Sequence, residues 1–302
     1  GVAGGAARGR SGAARGAGRA GAREARGGGG VHAANGTNRF VVAGSTFERL
    51  GQSAVMLTGN ATTQPRFGRV EGNAISRLGL SLSSAAGVYC SSCSDTQIVN
   101  NSVDFAPRWG VHVRSESDGG PSDSARNLIA RNRLATLGEQ TKDFGAISLI
   151  AYEGAPAANT TIEHNCVRDV LGVYSDADGV VWDGYMSYGV YLDNEASGYA
   201  VRQNVLRGAT RGNVFFHLGR ANVIENNVLV NATNADGHGG QLAVTGKAGV
   251  TGNNSFSRNV VAFSQTATSC VWYDGGGQAN FKPHYLPAAR VEANVYFPYS
   301  ET

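Results

Sequence analysis

An aspartate and a histidine occupy the same place in two similar segments of this chain. The segments are YGVYLDN, which carries Asp193, and GNVFFHL, which carries His217. An imidazole beside a carboxylate can share a proton, hold a hydroxyl or tune its neighbour's acidity. Five further segments have the same form: AGVYCSS, WGVHVRS, GAISLIA, GQLAVTG and SCVWYDG. A small residue leads into a stretch of period-2 alternation, which is the signature of a strand. Aligned on the first apolar residue, Val88, Val111, Ile147, Val190, Val214, Leu242 and Val271 form an inward column. Side chains alternate along a strand, so two other columns must point outward. One is Tyr89, His112, Ser148, Tyr191, Phe215, Ala243 and Trp272, and the other is Ser91, Arg114, Ile150, Asp193, His217, Thr245 and Asp274. If the segments stack as neighbouring strands about 4.8 Å apart, Asp193 and His217 are one rung apart. Asp274 then lies about 10 Å beyond His217. Arg114 lies on the other side, two rungs below Asp193. A face with acids, a histidine, an arginine and aromatic rings suits a carbohydrate chain, because sugar C–H faces stack on rings while hydroxyls bond polar groups. The same Asp–His pair also reads as a wet surface contact worth under about 1 kcal/mol. Spacing alone leaves both readings open.

A second pattern supplies the elements that would position these residues. An x-Asn-x-aliphatic step recurs at Asn73, Asn101, Asn132, Asn165, Asn204, Asn227, Asn259 and Asn294. The shortest spacing, between Asn204 and Asn227, is the length of one bare coil of a parallel β-helix, and the longer ones fit the same coil with inserted loops. β-Branched residues, Asn and Gly are too frequent at these positions for helices. Short strands separated by turns and repeated along the chain fit a solenoid. A repeated Asn can bond its counterpart in the next coil and so satisfy polar groups that would be costly to bury alone. The expected fold is all-β: a single right-handed parallel β-helix of about eight or more coils. An antiparallel sandwich does not explain the Asn repeat.

Composition bounds the domains. Residues 1–30 hold 12 Gly, 9 Ala and 6 Arg, too little apolar surface to offset chain entropy, and are expected to be disordered. Residues 31–302 form the β-helix domain. The first segment carries a net +5 of the chain's overall +3, leaving the rest at −2. The apparent basicity is thus local, and no basic stripe on the folded part suggests nucleic acid. No apolar run reaches the roughly 18 residues of a membrane helix. Cys90-Ser-Ser-Cys93 reads as a local disulfide or half a metal site, and without a second such pair no zinc is expected. Cys90 and Cys166 fall at or near core positions. Six N-x-[ST] sequons permit secretion, and an extracellular or secretory location is expected.

The segment from Asp143 to Asn227 reads KDFGAISLI, NTTIEHNCVRDV, SYGVYLDNEASGYAVRQNVL and GNVFFHLGRANVIENNVLV. It resembles, in order and spacing, a group of right-handed β-helix proteins that includes glycoside hydrolase family 141. Those proteins carry D-x-G-G-I, N-x-I-H-D-V, Y-G-I-Y-x-D-[ED]-G-[AS]-S and H-x-G-[KR]-x-N-x-[IV]-x-N-N-I. The resemblance implies that Asp143 and Asp193 are a catalytic carboxylate pair. His217, which precedes Gly219, Arg220 and Asn222, would position a substrate hydroxyl or tune Asp193. The second acid of the family's D-[ED] pair is Asn194 here, with Glu195 one place along, and both are expected to bind sugar hydroxyls. Tyr191, Arg114, Trp272 and Asp274 complete the expected substrate-binding set.

Three function classes follow. The first is a hydrolase cleaving a cell-wall-type polysaccharide with two carboxylates. The second is a polysaccharide lyase or epimerase, with Arg114 and His217 as base and charge neutraliser and Asp193/Glu195 as a calcium site. Few lysines outside the tail argue against it. The third is a non-catalytic carbohydrate-binding solenoid. The expected partner is a polysaccharide or oligosaccharide, with no cofactor, resident metal, nucleic acid or membrane, and the chain is expected to be a monomer.

Overall fold

A computed structural model describes residues 28–117, 120–121, 123–233, 240–246, 250–264, 271–274 and 289–299. The Gly/Ala/Arg segment lies outside them up to residue 27, as does Cys270. The described chain is all-β. Three parallel sheets of nine strands each wind into a β-helix, right-handed as parallel crossovers are. Each coil contributes one strand to each sheet, as in Ala86–Ser91, Gln97–Val99 and Ser102–Ala106.

The inward columns fill the core. Val88, Val111, Ile147, Val190, Val214 and Leu242 stack from the first sheet. Ile98, Ile129, Ile162 and Val201 stack from the second, and Val103, Leu134, Val167 and Leu206 from the third, all essentially fully buried. Cys166 departs from its expected core place. It is a free, exposed thiol, because the residue between the ladder Asn and the inward Val167 points out. Cys90 and Cys93 form a disulfide, which decides between the two readings of that pair.

The eight asparagines stack as one ladder between the second and third sheets, buried at all but Asn294. In each coil the Asn backbone N–H and its Nδ2 both donate to the Oδ1 of the next coil's Asn, at 2.9–3.1 Å for the Asn73–Asn101 and Asn132–Asn165 steps. Nδ2 also donates to a carbonyl of the previous coil, such as Asn165 to Ile129. The preceding residue takes a left-handed backbone to make the corner, as at Gly72 (φ 61°) and Arg131 (φ 56°). A ninth coil, at Thr46–Glu48, escapes the Asn pattern because Ser45 stands in the ladder position, its N–H donating to Asn73 Oδ1. A second, partial ladder that the sequence reading missed runs through Asn127, Asn222 and Asn254 at another corner.

Some first-sheet strands bend near their start. Trp109 and His112 are three residues apart, as are Tyr188 and Tyr191. On a straight strand such residues point to opposite faces. Yet the Trp109 and His112 rings stack at 4.1 Å, and the two tyrosines meet at 4.7 Å. These strands therefore fold around their outward face, which becomes the floor of a cleft. Gly145 sits at this bend, where an added Cβ would lie 2.7 Å from the Tyr191 Cβ.

Candidate functional site

The register places the outward columns as the alignment expected. Ile150 pairs with Asp193, His217 with Thr245, and Thr245 with Asp274. Of Trp272 and Asp274 only the backbone pairing is described. Asp193 ends the strand Ser187–Asp193, and its Oδ1 lies 2.6 Å from His217 Nδ1. The Tyr191 phenol lies near the Asp193 carboxylate and feels its charge. Burial first, then the charges of Asp193 and Asp143, push the Tyr191 phenol far above its usual range, so it remains a donor. The Tyr191 ring stacks on Phe215 at 4.9 Å, and Phe215 stacks on the His217 imidazole at 5.8 Å.

The expectation of an open face needs correction here. His112, Ser148, Tyr191 and Phe215 point outward but are nearly fully buried. Tyr188, Tyr191, Phe215 and Ala243 form an apolar cluster separate from the core, because the bend closes the face over itself. The Asp193 and His217 side chains remain 17% and 30% exposed, open to the cleft.

Asp143 immediately precedes the strand Phe144–Ile150, and its N–H donates to the Met186 carbonyl at 2.8 Å. Asp193 is in register with Ile150, seven residues further along. On a straight sheet that offset is about 23 Å, but the strand bends, and the charges of Asp193 and His217 both act on Asp143. Asp143 stands at the rim. The surrounding protein first, then the charge of Asp193, push its carboxyl above the usual range, while Arg108, His217 and Arg211 pull the other way. Arg108 lies over the Trp109 ring at 4.3 Å and donates from Nη2 to the Asp143 carbonyl at 3.0 Å. Its burial lowers its pKa, and the charges of Asp143 and Asp193 oppose that. The site thus combines a carboxyl whose pKa is raised, a second carboxyl 2.6 Å from His217, and two guanidinium groups.

Other expected residues are placed differently. Asn194 is exposed beside Asp193. Glu195 is buried, and its Oε2 accepts from the Gly154 N–H at 3.0 Å, so this carboxylate anchors a neighbouring loop. Among the described residues no group of three or more His, Cys, Asp or Glu is placed to hold a metal ion. Arg114 is half-buried and lines a groove of about 750 Å³ with Met56, Tyr89, Ser91 and Trp109, towards the first coils.

His112 makes a pH prediction. Burial, then the charges of Arg114 and Arg108, lower its pKa to about 3, and its buried Nδ1 has no partner. The unfolded chain takes up this proton near the model value of 6.5 while the folded chain does not. Stability is therefore full above about pH 6.5 and is lost as pH falls towards about 3. His112→Phe keeps the stacked ring and removes the proton site. It is expected to gain on the order of 3 kcal/mol over wild type near pH 4 in urea unfolding. An acid limb unchanged by the substitution would exclude His112 as its cause.

Comparison with known proteins agrees on the architecture. No family model matches the chain, and no curated protein does. Among solved structures, an alginate lyase from Paenibacillus sp. superposes with a TM-score of 0.57 at 17% identity, covering 88% of this chain and 92% of that one. The periplasmic alginate epimerase AlgG gives 0.52 at 12% identity, over 83% of this chain and 58% of its own. The catalytic domain of a GH87 α-1,3-glucanase, in complex with tetrasaccharides, gives 0.50 at 11%, over 86% of this chain and half of its own. The chain has the right-handed parallel β-helix fold. At these identities the likeness is one of fold.

Sequence reasoning missed Arg108 and Arg211. Each immediately precedes the first-sheet strand of its coil, Trp109–Arg114 and Gly212–His217, as Asp143 and Met186 do in theirs. Extending the aligned segments upstream would have found this row.

Proposed function

We propose that this chain is a glycoside hydrolase acting on a cell-wall-type polysaccharide through Asp143 and Asp193, as its resemblance to glycoside hydrolase family 141 implies. The observation that carries this reading is the unequal environment of the two acids. Asp143 is pushed towards its neutral form by its surroundings and by Asp193, which suits a general acid protonating the leaving oxygen. Asp193, whose Oδ1 lies 2.6 Å from His217 Nδ1, acts as the base or nucleophile. The groove lined by Tyr89, Trp109 and Arg114 would carry the chain on one side of the cleaved bond. Oligosaccharide complexes of the similar glucanase support a saccharide partner here, and a secreted location fits that substrate.

The test is reducing-end release from a panel of alginate, polygalacturonate, α-1,3-glucan and cell-wall xylans. Hydrolysis of any one supports the reading. A second reading, β-elimination or epimerisation of a uronate, is favoured by Arg108 and Arg211, which could neutralise a sugar carboxylate. Products with a new ultraviolet-absorbing double bond and no added water would replace the hydrolase reading with this one.

A further inference from the structure

The longest insertion in the helix lies between Asn165 and Asn204. It folds as an antiparallel hairpin, Val173–Ser175 with Val181–Asp183. Its tip displays Val180, Val181 and Trp182, each at least half exposed, with Trp182 at 51%. Large apolar side chains grouped in the open commonly mark a binding surface. This one is held in place. Asp176 Oδ1 accepts from the N–H groups of Val180 and Asp178, and Asp176 Oδ2 accepts from the Trp182 indole at 3.3 Å. The indole edge is therefore tethered while half the residue stays open.

The hairpin is continuous with the cleft. Trp182 leads to Tyr185 at 6.4 Å, and Tyr185 stacks on Tyr174 at 5.3 Å. Lys142, the neighbour of Asp143, places its ammonium 3.2 Å from the Tyr174 ring centre. Arg211 lies 5.5 Å from the Tyr185 ring and is one of the charges acting on Asp143. A row of rings and cations thus runs from the carboxylates to an exposed indole.

We propose that this hairpin is a sugar-binding arm, with the Trp182 ring a platform for the C–H face of a pyranose unit of the same polysaccharide, outside the pair of units that react. The inference rests on the polysaccharide-acting reading. A tethered indole gives a flat apolar face at little entropy cost on binding, and the cleft beside it supplies the occupant.

Affinity electrophoresis tests it, in native gels containing alginate, polygalacturonate or carboxymethylated α-1,3-glucan. For the polymer that retards the wild type, Trp182→Ala is expected to raise Kd about tenfold or more, while Trp182→Phe stays within about threefold. Binding is also expected to shield Trp182 from acrylamide, seen as quenching lost in wild type but not in Trp182→Phe. An alanine variant that binds as wild type does, or unshielded fluorescence, overturns the arm and leaves the hydrolase reading intact. No retardation by any polymer together with no hydrolysis overturns that reading and the arm with it.

Discussion

Asp143→Asn is expected to lower kcat on a polysaccharide by about 10²–10⁴-fold, the usual worth of a positioned general acid. The loss shrinks on a nitrophenyl glycoside, because that leaving group departs without a proton. Asp193→Ala is expected to lose at least as much on both substrates, since its role does not depend on the leaving group. The pH profile carries the sign. The pKa of Asp143 is raised, first by the protein packed around its carboxyl and then by the charge of Asp193, so its acid form survives above the ordinary carboxylate range and activity falls as pH climbs through the raised value. That alkaline limb should vanish in Asp143→Asn. Folding stability moves the same way, because the native state holds this proton longer than the unfolded chain. The asparagine variant should therefore be slightly more stable than wild type at neutral pH, by under about 1 kcal/mol, because solvent at the rim screens the charge. A variant with equal losses on both substrates and an intact alkaline limb would remove Asp143 as the acid.

Asn165→Ala carries the largest expected effect on stability. Asn165 Oδ1 accepts from both the N–H and the Nδ2 of Asn132, and its own Nδ2 donates to Ile129 and to Asn204. Asn165 and its ladder partners Asn132 and Asn204 are essentially fully buried. Removing it strands an N–H, an amide hydrogen and a carbonyl in a dry corner. At about 1–3 kcal/mol for each of these three orphaned groups, the loss is on the order of 3–9 kcal/mol in urea or thermal unfolding. Asn165→Asp is expected to be as damaging, since a carboxylate cannot donate to Ile129 or Asn204 and carries charge into the same corner. Asn294 ends the ladder among the described residues and is only part-buried, so its alanine variant should lose less. Equal losses at Asn165 and Asn294 would mean that the ladder does not act through burial.

Much of this fold was legible in the residues. The Asn step and the alternating segments repeat because each coil must meet the next in the same register, and any sequence that stacks on itself writes that constraint once per coil. The first coil was hidden because Ser45 meets the ladder through its backbone rather than through an amide. The pairing of Asp193 with His217 followed from register alone, since side-chain direction along a strand has a fixed period. Asp143 entered only through its likeness to other sequences.

The cleft was decided by tertiary structure. Period-2 alternation assumes a straight strand, and the bend that brings Trp109 onto His112 and Tyr188 onto Tyr191 breaks that assumption. The bend buries an outward column that would otherwise be wet. It also carries Asp143 and Arg108 from one end of their strands to Asp193 at the other. Glu195 shows the same limit at one residue, because its place beside Asp193 in the chain could not reveal that its carboxylate turns back to Gly154. The sequence by itself determined the stacking, because hydrogen-bond register repeats locally in every coil. Only the tertiary structure decided which charges act on one another and which acid has its pKa raised, because desolvation and field depend on how the whole sheet curves.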